Sequence, residues 1–216
     1  PSCTTANSVT VLEPLVITVP ISGIDPLCNG QNNGSATANP TGGTPPYISY
    51  QWGGSAGLQT TQTATNLSAG ITYNVTVTDA NNCTGTGSVT LQEPAVINIT
   101  TTNAINVSCN GGFDGSIDIT VTGGTQPYTY KWSTSFMGPT LYTTEDISGL
   151  YAGNYFLELT DANGCIHWYA EIIAEPDTLE STHTVINVGC NGDSTGQITV
   201  TPISGTPPYS FDWNTW

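Results

Sequence analysis

Residues 109–117 read C-N-G-G-F-D-G-S-I, and they open a stretch that continues through G-G-T-Q-P-Y-T-Y-K-W (123–132) to N-Y-F-L-E-L-T-D-A-N-G-C (154–165). The same text lies on both sides of it. The tripeptide C-N-G begins at residues 28, 109 and 190, in steps of 81 residues. The dipeptide E-P keeps nearly the same step, beginning at residues 13, 93 and 175. An internal repeat of this length decides the fold, because each repeat is then a structural unit of its own.

The repeat period divides the 216 residues into four segments. Residues 1–14 are predicted to be the last strand of one repeat, 15–94 and 95–176 to be two whole repeats, and 177–216 to be the first half of a further one. Because a natural gene product would rarely begin and end within a repeat, we expect a longer repeat array to which this chain belongs.

Each repeat has the pattern of short β-strands separated by turns. In the second whole repeat we predict strands over 96–107 (broken in its middle), 116–122, 128–133, 146–150, 154–160 and 165–174. Residues 15–19 of the first whole repeat, L-V-I-T-V, are likewise expected to be a strand. A tyrosine opens the fifth strand after a glycine-containing corner, which is the setting of a tyrosine corner in immunoglobulin-like sandwiches. About seven short strands with a tryptophan on the third point to the same architecture. The predicted fold is all-β, an elongated tandem array of immunoglobulin-like (PKD-like) sandwiches of about 81 residues, with core markers Trp52, Trp132, Trp213, Tyr73 and Tyr155.

The charge of the chain excludes two classes of partner. One Lys+Arg stands against 16 Asp+Glu, which gives a net charge of −15. A chain without a basic surface has nothing to neutralise phosphates with, so nucleic acid is excluded as a main partner. Anionic lipid is disfavoured for the same reason. No apolar run approaches the 18 residues of a membrane span, so we expect no direct membrane insertion.

Several motifs together resemble a known repeat family. They are C-N-G-x-x-x-G-S-I/A, G-G-T-x-P-Y-x-x-x-W, L-x-A-G-x-Y-x-V/L-x-V/L-T-D-A-N-G/N-C and the trailing E-P. Together they resemble the SprB repeat over nearly the whole chain. The resemblance implies an extracellular, cell-surface protein of gliding bacteria, exported by type IX secretion. It also implies neighbouring repeats, gliding or secretion machinery, and an external surface or polysaccharide bound through other parts as partners. Departures from the pattern are Gln126, Gly53 and the aromatic run at 166–169.

Six cysteines in a β-rich chain with one basic residue suggest an oxidising, extracellular setting. Three sets of pairs are open: Cys28–Cys83 with Cys109–Cys165 inside the repeats, Cys83–Cys109 between sequence neighbours, or Cys28–Cys165 between successive repeats. The first set must span a strand of about 23 Å, whereas the Cα atoms of a disulfide lie within roughly 7 Å. We favour the third, an inter-repeat staple. By the same rule, the partners of Cys3, Cys83, Cys109 and Cys190 lie outside this chain.

The acidic residues show no catalytic pattern. Asp79 and Asp161 lie in D-A-N turns, where aspartate commonly bonds its own backbone. The alternative is calcium at the repeat junction, with these carboxylates as hard oxygen ligands, although no D-x-D-x-D-G loop is present. Neither His167 nor His183 recurs with the period, and no zinc spacing, Ser-His-Asp order or phosphate loop is found. We therefore expect no enzyme, no cofactor and no bound metal, with calcium at Asp79 and Asp161 as the alternative to backbone bonding.

Two kinds of surface feature remain. Trp168, Phe136 and Tyr142 lie off the repeated core positions and are candidate contacts for sugar or a neighbouring protein. Thr178 and Ser194 each follow an aspartate in D-T-L and D-S-T, which the SprB resemblance marks as possible O-glycosylation signals of that bacterial group.

These observations favour a non-enzymatic stalk segment of a long cell-surface adhesin filament, acting in gliding motility or surface attachment. Two alternatives stay open: a static extracellular fibre or sheath subunit, and a carbohydrate-binding repeat array.

Overall fold

The structure is a computed structural model that describes residues 9–214. The chain divides into two compact units, Pro1–Val96 and Ile97–Trp216. Each unit is built from short antiparallel strands. Among the described residues, no helix is long and apolar enough to cross a membrane.

The first unit contains six strands in two three-stranded sheets. One sheet has the order β1-β2-β4 and the other the order β3-β5-β6. A single turn of 3₁₀ helix, Gly54–Ala56, follows β3 and lies in the crossing to β4. The strands are β1 (Ile21–Ile24), β2 (Gly34–Ala38), β3 (Tyr47–Trp52), β4 (Thr63–Leu67), β5 (Thr72–Asp79) and β6 (Thr84–Thr90).

The second unit repeats this topology. Its two sheets have the orders β10-β8-β7 and β12-β11-β9, and two further strands, β13 and β14, pair with each other after them. The strands are β7 (Asn98–Ile105), β8 (Gly115–Thr122), β9 (Thr129–Ser133), β10 (Ile147–Leu150), β11 (Gly153–Thr160), β12 (Ile166–Ile173), β13 (Ser181–Ile186) and β14 (Gln197–Pro202).

Period-two alternation explains why the two sheets of each unit face each other. In β11, Tyr155, Leu157 and Leu159 are buried while the residues between them are partly exposed. They pack against Ile117 and Ile119 of β8 in one apolar cluster. Burying one face of each sheet against the other is the way a sandwich removes apolar surface from water. The predicted all-β, immunoglobulin-like fold is therefore confirmed, with six strands per sandwich rather than about seven.

The tyrosine corner is present in both sandwiches. The Tyr155 hydroxyl donates to the backbone oxygen of Tyr151 at 3.0 Å. The Tyr73 hydroxyl donates to the backbone oxygen of Ser68 at 3.0 Å and accepts from the Ser68 N–H at 2.9 Å. Each ring is almost fully buried, so the hydroxyl finds its partner in the corner itself.

The first strand differs between the repeats. The predicted break in the strand at 96–107 is a register shift in β7 between Thr101 and Asn103. Residues 15–19, also expected to be a strand, make only a bridge from Thr18 to Thr41 before β1 begins. There Ile17 and Val19 lie directly over Gly85 and Gly87 of β6. In the second repeat, the positions equivalent to these two glycines are His167 and Tyr169 of β12, whose side chains leave no such space.

Two of the three predicted core tryptophans occupy the core. Trp52 and Trp132 are fully buried, and their indole N–H groups donate to the backbone oxygens of Thr61 and Thr144. Trp213 lies in the half-repeat 177–216, where its side chain is 57% exposed, and its role as a core residue of a whole repeat stays a prediction.

Candidate functional site

The C-N-G turn of each repeat is bound to the segment where the chain leaves the same repeat. Gly30 N–H donates to Oε2 of Glu93 at 2.7 Å, and Asn29 Nδ2 donates to the backbone oxygen of Pro94 at 3.1 Å. In the second repeat Gly111 N–H reaches Glu175 at 2.8 Å and Asn110 Nδ2 reaches Pro176 at 3.1 Å. We call this arrangement the exit clamp. It explains why C-N-G and E-P recur in phase.

A second arrangement joins the G-G-T turn after β2 or β8 to the D-A-N turn after β5 or β11. Asp79 Oδ2 accepts from Thr44 N–H at 2.8 Å, while its Oδ1 accepts from Asn81 and Cys83 N–H, both at 2.9 Å. Asp161 makes the same three bonds, to Thr125, Asn163 and Cys165 N–H, each at 2.9 Å. We call this the turn cluster. Since β2 runs from the C-N-G turn to the G-G-T turn, the clamp and the cluster lie at opposite ends of the sandwich.

The second glycine of G-G-T is required by the turn cluster. Gly43 has φ +60°, and a Cβ there would lie 2.8 Å from Oδ2 of Asp79. Gly124 has φ +59°, and a Cβ there would lie 2.7 Å from the side chain of Ile97. Any side chain would be strained by the backbone conformation and would also clash. The motif is therefore a packing requirement rather than a phosphate-binding loop.

The carboxyl group of Asp79 is fully buried, and its surroundings favour the charged form. The backbone N–H of Thr44, and then those of Cys83 and Asn81, hold the pKa of Asp79 below its usual value, against the opposing effect of burial. Asp114, next to the C-N-G turn, also has a lowered pKa because Ser108 bonds it through its side chain and its N–H.

The turn cluster bears on the two interpretations of Asp79 and Asp161. All four carboxylate oxygens accept backbone N–H groups, and both side chains are at most 5% exposed. A calcium ion would have to share these oxygens with the backbone N–H groups. Residues 9–214 contain no group of three or more His, Cys, Asp or Glu that could hold a metal ion. Backbone bonding is therefore the role that the geometry of both residues shows, and calcium binding stays an untested prediction.

The cysteines are of two kinds. Cys28 and Cys165 are disulfide-bonded. Cys83, Cys109 and Cys190 are free and exposed. The structure therefore contains neither the within-repeat pairs nor the Cys83–Cys109 pair. The Cys28–Cys165 pairing and the partners of the free cysteines stay predictions, and Cys3 lies outside the described residues.

Cys109 of the second unit lies on a cavity of about 410 Å³ that it shares with the start of the following half-repeat. Gly205, Thr206 and Pro208, which belong to the next G-G-T-type turn, line the other side. In both complete repeats this turn is bonded to a D-A-N turn that ends in a cysteine. Cys109 thus faces the region where the turn cluster of the next repeat would place its cysteine.

The structure places the candidate surface residues in different environments. Trp168 and Phe136 lie together on the outer face of β9, β11 and β12, with ring centroids 4.8 Å apart. Tyr142 does not join them, because it bridges to Trp132 and packs against the core. His167 and His183 lie on different strands, β12 and β13. Thr178 and Ser194 are both exposed, as a modified side chain must be, and their modification stays a prediction.

Two features could have been predicted from the sequence and were not. The in-phase recurrence of C-N-G and E-P signals the exit clamp. The outward positions of the second repeat's strands carry Lys131, Glu158 and Trp168, where the first repeat has polar uncharged residues. In addition, Tyr169 of the aromatic run packs its ring edge-on to Trp132 at 6.3 Å, and so belongs to the core rather than the surface.

Comparison with known proteins gives one family and several distant structural likenesses. The family model described as the SprB repeat matches residues 24–57, 101–135 and 182–215. No curated protein matches the chain. The three N-terminal domains of the highly immunogenic outer capsid protein Hoc of bacteriophage RB49 are 17% identical with a TM-score of 0.48, over 89% of this chain and 70% of that one. The eight N-terminal Ig domains of Down syndrome cell adhesion molecule are 11% identical with a TM-score of 0.40, over 87% of this chain and 28% of that one.

Proposed function

Since this chain is a SprB-repeat protein, we propose that it is a non-enzymatic stalk segment of a long cell-surface adhesin. In this role each sandwich supplies length, and the joints between sandwiches supply stiffness and resistance to shear. SprB repeats and immunoglobulin-like sandwiches fit a cell-surface repeat protein, and a disulfide suits a chain that works outside the cell.

The recurrence of the exit clamp and the turn cluster carries the proposal. Their hydrogen-bond distances agree between the two repeats to within 0.1 Å. The recurring motifs shape the two ends of each sandwich rather than a pocket, and its ends are where a repeat in an array meets its neighbours. Each repeat then meets its neighbours in the same way, and the array is a nearly one-dimensional assembly.

A disulfide between successive repeats belongs to this proposal. The cavity between Cys109 and the next G-G-T-type turn supports it, because it puts a C-N-G cysteine beside the end of the next sandwich. By the loop-entropy model such a bond stabilises the folded chain by roughly 4–5 kcal/mol. It would also limit bending at the joint and let tension pass from one sandwich to the next.

The finer proposal is that the filament moves. The SprB resemblance supports export by type IX secretion and a role in gliding motility or surface attachment. The test is to label live cells with an antibody to these repeats and to follow label and attached beads. We expect label that travels along the cell and carries beads with it.

A static fibre or sheath subunit is the alternative outcome of that experiment. Label that stays fixed in a coat or in bundled fibres would contradict the moving adhesin and keep the structural role. Label confined to the cell interior would contradict both.

A further inference from the structure

Three side chains form a row across the outer face of the second sandwich. Glu158 of β11 is in register with Lys131 of β9 on one side and with Trp168 of β12 on the other. The Lys131 ammonium donates to Oε1 of Glu158 at 2.9 Å. Lys131 is the single Lys or Arg residue of the chain, so the one Lys or Arg side chain that this sequence contains lies on this row.

Further aromatic rings adjoin the row. The Phe136 ring lies 4.8 Å from Trp168, tilted by 47°, and 6.3 Å from Phe156 in an edge-on arrangement. Trp168 is 37% exposed, and Phe136 and Met137 are exposed further. Single exposed apolar side chains need no explanation, but a contiguous aromatic patch on a sheet face marks an interaction site.

The row also borders a cavity. A space of about 200 Å³ is lined by the three side chains of the row together with Ser133, Met137, Gly138 and Thr140. Phe136 contacts the indole but is not among the residues that line this space, so it supports Trp168 from outside it. The cavity therefore has an aromatic wall beside a charged donor and a charged acceptor.

The first sandwich is an internal comparison for this row. The positions in the same register there are Gln51, Thr76 and Thr86. They form an equivalent three-stranded sheet with polar uncharged side chains, so the sheet does not need the Lys-Glu-Trp row in order to form. The aromatic and charged residues of the second sandwich therefore require an explanation other than folding.

Neutral carbohydrate is the ligand that matches these groups. A pyranose ring offers an apolar C–H face for stacking on an aromatic ring, and hydroxyls at its edge that both donate and accept hydrogen bonds. The ammonium has donors that Glu158 does not use, and the carboxylate has acceptor capacity left, so each could bond one of two adjacent hydroxyls. A net charge of −15 disfavours polyanionic ligands at this site.

We propose that Lys131, Glu158 and Trp168 form a binding site for a neutral saccharide on the outer face of the second sandwich. The site is a property of this repeat and is absent from the same position of the first. It goes beyond the stalk function, because a stalk segment needs no ligand, and the two proposals are tested by separate experiments.

Native affinity electrophoresis of the whole chain tests the site, with gels that contain a soluble neutral glucan, mannan, xylan or galactan. We expect at least one polysaccharide to retard the chain. Trp168→Thr, which introduces the residue of the first sandwich, is expected to weaken the apparent affinity tenfold or more, and Lys131→Gln to weaken it less. Thr86→Ala, at the equivalent position of the first sandwich, is the matched control and is expected to change nothing.

Melting temperatures and sedimentation of each variant complete the test. Variants that melt like the parent chain and lose retardation support the site. Retardation of Trp168→Thr equal to that of the parent, or retardation by none of the four polysaccharides, would overturn it. So would a parent chain that self-associates through this face, with Trp168→Thr monomeric and polysaccharide without effect, since the row would then be a protein interface.

Discussion

The backbone N–H of Gly111 donates to the Glu175 carboxylate over 2.8 Å, although the two residues are 64 positions apart in sequence. The turn that follows the first strand and the segment that follows the last one are thereby joined. Gly30 and Glu93 repeat the bond at 2.7 Å. The direction in which the chain leaves each sandwich is therefore set by a hydrogen bond to that sandwich.

Removing this bond should loosen the exit without unfolding the sandwich. For Glu175→Ala we expect a loss of about 1 kcal/mol, since the bond is charge-assisted but exposed to solvent. Amide exchange over 108–112 should accelerate. Glu180→Ala is the control, because within the described residues only the backbone of Glu180 is hydrogen-bonded, its N–H to Ser204 and its oxygen to Ile203 N–H, while its side chain makes no bond. Equal exchange in the two variants would contradict the clamp.

The two tyrosine corners should differ in strength. Tyr155→Phe removes one bond, to the Tyr151 oxygen, and is expected to cost about 1 kcal/mol. Tyr73→Phe also leaves the Ser68 N–H without its acceptor, so we expect roughly 1 kcal/mol more. Urea unfolding of both variants measures the difference. Equal losses would show that the second bond of Tyr73 contributes nothing.

Acid should weaken the turn cluster of the first sandwich. Because the folded-state pKa of Asp79 lies below the ordinary value of 3.8, its stabilising contribution is present above about pH 4 and is lost as the pH falls through the folded pKa. In Asp79→Asn the side-chain NH₂ group, which can only donate, replaces an oxygen that accepts from a backbone N–H. We therefore expect this variant to melt at least about 5 °C below the parent chain at neutral pH.

The same variant gives the pH dependence its control. Thermal scans from about pH 7 to pH 2 should show the gap between the parent chain and Asp79→Asn narrowing below pH 4. A gap that stays constant down to pH 2 would mean that the charge of Asp79 does not stabilise the fold.

Peptide mapping without reductant should identify which two cysteines the disulfide joins. We expect one cross-linked peptide pair that contains Cys28 and Cys165, and alkylation of Cys83, Cys109 and Cys190 before reduction. The expectation follows from the bonded state of the first two cysteines and the free state of the other three. A peptide that joins Cys28 to Cys83 would refute the inter-repeat staple.

The sequence predicted the features that depend on local pattern. Alternation in β11 predicted its buried face, and the position of Tyr155 after a glycine corner predicted its hydrogen bond. Packing across the sandwich was harder to predict. Nothing in the local pattern of residues 15–19 shows that Gly85 and Gly87 leave room for them, which is why a strand was expected there and only a bridge is found.

The same difference between local pattern and long-range packing applies to the candidate sites. The turn role of Asp79 was predictable, because its partners lie next to it in sequence or in a recurring motif. The repeat period assigns Trp213 the position of Trp52 and Trp132, and its burial in a whole repeat stays a prediction. Alternation marks Lys131, Glu158 and Trp168 as outward-facing, but only the strand register shows that they lie side by side.

The position of Lys131 has a practical consequence. Trypsin cuts only after lysine or arginine, so this chain offers it one bond, within β9, where the backbone is paired with β11. A protease needs a detached, extended segment, so cleavage reports the opening of the second sandwich rather than its surface exposure. Native trypsin digestion, followed by reduction to separate residues 1–131 from 132–216, therefore measures the rate at which one repeat unfolds, without any engineered label.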